Sequence, residues 1–96
     1  MIQSFSDDAT EDIFNGVSSR KALGIPKVLW AVAQRKLDML NAAYEILDLK
    51  SPPGNRLEKL GGKYEGYHSV RLNDQYRLIF RWKEHNAYNV QIVDYH

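Results

Sequence analysis

The chain has no cysteine. That excludes a disulfide framework and any thiolate metal site. Histidine is scarce: His68, His85 and His96 are the only three, and none stands at a spacing that would put two on one helix face. A zinc site, and with it a metal cofactor, is therefore not expected, and nothing else in the chain implies a cofactor. No apolar run approaches the roughly 20 residues a membrane-crossing helix needs. The first residues, Met1-Ile2-Gln3-Ser4-Phe5-Ser6-Asp7-Asp8, lack the basic and apolar regions of a secretory signal. The expectation is a cytoplasmic protein with no membrane partner. Ninety-six residues suit one domain, spanning 1–96.

Charge is nearly balanced at +1, but it is unevenly spread. Residues 1–49 carry five basic and seven acidic side chains; residues 50–83 carry eight basic and three acidic. A basic middle in a near-neutral chain suggests one positive face for a polyanion such as nucleic acid. A solvated charged surface is the bland reading of the same numbers.

The pattern of apolar residues sets the architecture. Ile2 and Phe5 suit a short first strand. Ser6, Asp7 and Asp8 offer helix N-cap oxygens, with Glu11 and Asp12 at the positive end of the helix dipole, and Gly16 ends this short helix. Residues 17–25 read as an exposed, mobile loop. Pro26 suits a helix start. Leu29, Val32, Ala33, Leu37, Leu40, Ala43, Tyr44 and Leu47 then recur at three and four, predicting one long helix to residue 49. Lys36 falls on that apolar face, where its stem can lie flat. Ser51-Pro52-Pro53-Gly54-Asn55 stops the helix. Beyond it the period becomes two: residues 56–60, 67–72, 76–82 and 88–94 read as strands, with turns at Asn73-Asp74-Gln75 and Glu84-His85-Asn86. The order β-α-α-β-β-β-β predicts an α+β fold, with two helices on one face of a largely antiparallel sheet. Arg71, Arg77 and Arg81 are left on the open face.

The chain ends Val90-Gln91-Ile92-Val93-Asp94-Tyr95-His96. A carboxylate, a phenol and an imidazole follow a strand that does not need them for packing, and all three hold or move protons. Arg71 and Arg77 lie on adjacent strands, and guanidiniums match phosphate oxygens. RNA carries its own nucleophile, the 2′-hydroxyl. Cleavage therefore needs a base, an acid for the leaving 5′-oxygen and positive charge for the transition state, without a metal. His96 suits base or acid, Tyr95 proton donation or base stacking, Arg77 the phosphorane, and Asp94 orientation of His96 or the proton itself. Lys59 and Lys63 flank Gly61-Gly62 and suit backbone phosphates, and Tyr64 and Tyr67 beside them allow stacking. Each has a structural alternative. The arginines could be solvent-facing strand residues, Tyr95 a packing aromatic and His96 a frayed end. His68 reads as a hydrogen-bonded structural histidine, His85 as an exposed turn residue, and Trp30 and Trp82 as core.

Four blocks together carry a resemblance: the Met1-Ile2-Gln3-Ser4-Phe5 opening; Ser51-Pro52-Pro53-Gly54-Asn55-Arg56-Leu57-Glu58; His68-Ser69-Val70-Arg71-Leu72-Asn73-Asp74-Gln75-Tyr76-Arg77-Leu78; and the Asp-Tyr-His ending. In order and spacing the chain resembles the HigB toxins of bacterial type II toxin–antitoxin systems, within the RelE/ParE superfamily, and especially their GraT-type members. The resemblance implies two N-terminal helices packed on a curved antiparallel sheet. It also implies a ribosome-dependent mRNA endonuclease and a HigA-like helix-turn-helix antitoxin, with operator DNA bound only through the antitoxin. It points to Arg77, Asp94, Tyr95 and His96 as catalytic, and to Arg71 as lining the same site. With Arg71, the basic residues Arg56, Lys59 and Lys63 are the expected RNA contacts. Some family members place a histidine near Glu58 and a lysine near Gly61; this chain has neither, leaving Glu58, Lys59 or Lys63 to take over. ParE relatives share the fold and poison DNA gyrase without catalysis, which is the alternative function.

Overall fold

The computed structural model describes residues 1–95. Helix α1 spans Asp8–Phe14, and α2 spans Trp30–Ala42. Four strands follow: β1 Glu58–Lys59, β2 His68–Arg71, β3 Tyr76–Lys83 and β4 Asn86–Asp94. They form one antiparallel sheet in the order β1-β2-β3-β4. The fold is α+β, as the patterning requires.

α1 begins where Asp7 accepts a hydrogen bond from the Thr10 amide at 2.8 Å. The expected first strand forms only two isolated bridges, Ile2 with Ala87 and Phe5 with Val90, both parallel to β4. The ladder cannot run on because β4 carries a bulge: its register with β3 shifts between Ile79 and Arg81, and Asn89 takes a φ of 54°.

The expected long helix stops seven residues early. Ala43 leaves the helix with extended backbone, and a separate 3-10 turn, Ile46–Lys50, follows. The Asp48 carboxylate takes the amides of Tyr44 (3.0 Å) and Glu45 (2.9 Å), which an unbroken helix would have given to carbonyls. Those two bonds hold the Asp48 carboxyl below its usual range. Tyr44 and Leu47, assigned above to the buried stripe, are consequently exposed.

The 17–25 segment is largely exposed, as expected, and is tied to the body by a few contacts. Ser19 donates to Asp12 (2.6 Å) and accepts from the Ala22 amide (3.0 Å). Ala22 and Ile25 are buried in the core, and the Trp30 indole donates to the Ile25 carbonyl at 2.9 Å. Trp30 and Trp82 pack against the core only half-buried, short of the core positions expected.

The core fills the space between α1, α2 and one face of the sheet, through Ile13, Leu37, Leu40, Val70, Leu78, Phe80 and Val90. Lys36 lies on this apolar side, and its amine donates to the side-chain Oδ1 of Asn55. Burial, with Arg35 nearby, holds that amine below its usual range. Asn55 is fully buried, and its amide donates to the Leu49 carbonyl at 3.0 Å. It thereby pins the Pro-Pro-Gly turn that leads into β1.

Candidate functional site

The opposite sheet face was expected to be open. Its centre is covered: Ile79 and Ser69 have no exposure, and Leu60 is buried with them. The segment between β1 and β2 folds across it. That segment touches the end of β4 through Tyr64 and Tyr95, with rings 6.2 Å apart, and β3 through Tyr67 and Arg81. Three shallow clefts surround it.

The first cleft, about 420 Å³, is lined by Arg56, Glu58, Arg71, Asn73, Asp74, Arg77 and Tyr95. Arg71 and Arg77 are direct partners across β2 and β3, so their side chains leave the same face. Arg77 is held from three sides. Its Nε donates to Ser69 Oγ at 2.7 Å, its Nη2 donates to the Arg56 carbonyl at 2.7 Å, and the Glu58 carboxylate lies 3.9 Å away. The Arg77 side chain is only 11% exposed. Arg56 can present its carbonyl because it adopts a left-handed φ of 45° after the Pro53–Asn55 turn. Arg71 pairs with Asp74 in the following turn.

The second cleft, about 220 Å³, is lined by Gly61, Lys63, Tyr64, Asp94 and Tyr95. Tyr95 is the wall the two clefts share. Its backbone amide donates to the Gln75 carbonyl at 2.7 Å, and the Gln75 side-chain Nε2 donates to the Asp94 carboxylate at 2.9 Å. The β3–β4 register sets Asp94 opposite Tyr76 and Val93 opposite Arg77. Asp94 therefore borders the second cleft and not the first. The third cleft, about 510 Å³, lies beyond the covering segment, around Arg81 and Lys83.

Of the residues singled out in the sequence, Arg56, Arg71, Arg77 and Tyr95 thus come together, with Lys63 and Asp94 next door. Lys59 does not join them. It pairs with His68, whose ring packs against the core residue Phe80, so it leaves β1 on the other side. Glu58, its neighbour, faces Arg77. His96 lies outside the described residues. Two contributors were not foreseen: Ser69, which fixes Arg77, and Gln75, which ties down the end of β4. Ser69 was readable as a same-face neighbour of Arg77 one strand over. Gln75 looked like simple turn chemistry.

His68 departs from its expected role. Its Nδ1 is buried with no hydrogen-bond partner among the described residues. Burial, with Lys59 beside it, keeps the imidazole below its usual pKa. His85 is exposed as expected, stacked on Tyr44 with ring centres 4.0 Å apart.

Comparison with known proteins gives a consistent picture. The family model described as "RelE-like toxin of type II toxin-antitoxin system HigB" matches residues 3–96. Toxin HigB-1 of Vibrio cholerae is 46% identical over 68 residues, covering 71% of this chain and 72% of that protein. An uncharacterized protein of Haemophilus influenzae is 47% identical over 72 residues, 75% of this chain and 70% of its own. Two solved structures share the fold. YafQ from E. coli has a TM-score of 0.60 at 13% identity, covering 98% of this chain and 91% of its own. The YoeB–YefM complex from Staphylococcus aureus has a chain with a TM-score of 0.55 at 14% identity, covering 100% and 98%.

Proposed function

The chain belongs to the HigB-like family of RelE-like toxins of type II toxin–antitoxin systems, and from that membership we propose that it is a ribosome-dependent mRNA endonuclease. The observation that carries the proposal is the first cleft, where Arg56, Arg71, Arg77, Glu58 and Tyr95 face one another. Two guanidiniums, one of them held rigidly, suit a scissile phosphate and the charge that builds on it.

The 2′-oxygen of the message attacks the adjacent phosphorus. The bond from phosphorus to the 2′-oxygen forms and the bond to the 5′-oxygen breaks, leaving a cyclic phosphate and a 5′-hydroxyl. Glu58 is the carboxylate that faces Arg77, and it takes the proton of the 2′-hydroxyl. His96 returns a proton to the leaving oxygen. Arg77 and Arg71 neutralise the phosphorane, and Tyr95 stacks on a base beside it. Asp94, tied to Gln75, positions the strand end that carries Tyr95 and His96. Arg56 and Lys63 hold flanking phosphates, with Lys59 as an outer contact on the far side of β1. The chemistry needs no metal, since the nucleophile is the substrate's own.

The partner is a HigA-like helix-turn-helix antitoxin, which also brings the pair to operator DNA. A solved relative, YoeB, is in complex with YefM. The site of action is the cytoplasm; no helix among the described residues is long and apolar enough to cross a membrane.

Arg77→Ala and His96→Ala are expected to abolish growth arrest on induction, and Glu58→Gln to slow cleavage by about 10²-fold. Primer extension on cellular mRNA reads the outcome. Codon-phased breaks in the wild type, lost in the variants, support the nuclease. Intact message with damaged DNA would transfer the protein to the gyrase-poisoning class.

A further inference from the structure

An unbroken series of ring contacts leads away from Tyr95. The Tyr95 ring lies 6.2 Å from that of Tyr64, Tyr64 lies 6.1 Å from Tyr67 in an edge-on pair, and the Arg81 guanidinium sits over Tyr67 at 4.5 Å. Lys63 lies over Tyr64 at 5.1 Å. The series ends in the third and largest cleft, lined by Gly66, Arg81, Trp82, Lys83, Glu84, Tyr88 and Asn89. Beyond Tyr95 and Lys63, the residues of this series take no part in the first cleft: Tyr64, Tyr67, Arg81 and Lys83 do not line it.

Arg81 is placed deliberately. Gly66 has a φ of +92°, and a Cβ there would fall 2.6 Å from Arg81 Nη1. The guanidinium thus sits between a bare backbone and the Tyr67 ring. Among the described residues no carboxylate pairs with Arg81 or Lys83, although Glu84 lines the same cleft. A cation held in place with no ion pair among the described residues, at the end of an aromatic path, is suited to single-stranded nucleic acid. Rings take base faces and the cations take phosphates.

We propose that Tyr64, Tyr67, Arg81 and Lys83 form an extended RNA track, which carries the message strand from the cleavage cleft across the covering segment to the Arg81 cleft. The proposal rests on the nuclease reading and adds to it a second phosphate site remote from the scissile one.

The test is NMR titration of the ¹⁵N-labelled protein with 2′-O-methyl oligonucleotides, which lack the nucleophile, in a dinucleotide and an octanucleotide form. The octanucleotide should bind about tenfold or more tightly than the dinucleotide and shift the Arg81 side-chain resonance as well as that of Arg77. Arg81→Gln and Lys83→Gln should remove that gain while leaving the dinucleotide unchanged. Each lost phosphate contact should lower the salt slope by about 0.7. Arg81→Lys, which keeps the charge and loses the guanidinium, should recover only part of the gain. Circular dichroism confirms that each variant is folded. An undiminished octanucleotide gain in the glutamine variants overturns the track and leaves the nuclease standing. Failure of the octanucleotide to move Arg81 overturns the track, while the nuclease reading is decided separately by the primer extension on cellular mRNA. Unchanged RNA affinity in Arg81→Gln, with escape from neutralisation by the antitoxin, reassigns the cleft to an acidic protein segment and overturns the track.

Discussion

Single side chains set the geometry of the first cleft by way of the backbone. Arg77 is aimed by the Arg56 carbonyl, which depends on the preceding turn, and that turn is anchored by Asn55. Asn55 is also the partner of the buried Lys36 amine. Asn55→Ala should therefore lower stability by roughly 2–3 kcal/mol, since it strands a buried cation as well as two carbonyls. Urea denaturation measures that loss, and activity should fall more than the remaining folded fraction explains. His68 gives a pH signature. Its folded pKa is depressed, so around and below the ordinary value of 6.5 the unfolded chain binds more protons than the folded one. Stability should be full above pH 6.5 and decline as pH falls below it toward the folded pKa. Urea midpoints between pH 7.5 and 5 would show this decline, reduced in His68→Gln; identical profiles for both proteins would count against it.

Elements dock through a few polar bonds set into an apolar interface. The Ile92 amide points out of β4 on the side away from β3, where the irregular N-terminal pairing offers it no carbonyl. Thr10, fully buried on α1, accepts from it at 3.0 Å. Thr10→Val keeps the shape and removes the acceptor. It should cost about 1–3 kcal/mol, the penalty for a buried amide left without a partner. The comparison of thermal or urea midpoints with Thr10→Ser, which keeps the acceptor, separates this from lost packing. α2 shows the same competition in reverse. Its apolar period runs on past Ala42, but one carboxylate three to four residues ahead captures the amides and ends the helix. Helical spacing made the stripe legible as far as Leu40. It could not show that Asp48 would outbid the backbone carbonyls.

At the scale of the whole molecule, β4 joins the two ends of the chain. It pairs with β3 on one side, receives the N-terminal segment on the other and ends in the site. Phe5 is half-buried against Phe14, with ring centres 5.6 Å apart. Phe5→Ala should lower stability by about 2 kcal/mol, less than the full cost of a buried ring. If β4 is the shared support, the same change should loosen protection of the Val90 amide, which bonds the Ser4 carbonyl at 3.1 Å. Hydrogen exchange reads that directly, and unchanged Val90 protection would mean the segment is only an appendage.

Amphipathic spacing and turn residues determined the fold class and the antiparallel order, because these depend on local periods of two and three to four, and strand alternation put Arg71 and Arg77 on one face. Tertiary structure decided what local periods do not encode. The pairing of β1 with β2 set Glu58 on the Arg77 side and Lys59 on the far side, and a bulge at Asn89 broke the first strand into two bridges. The tyrosine-bearing loop between β1 and β2 closed over Ile79 and divided an open face into separate clefts. Each of these outcomes turns on a contact between residues far apart in the chain, where no local pattern can register it.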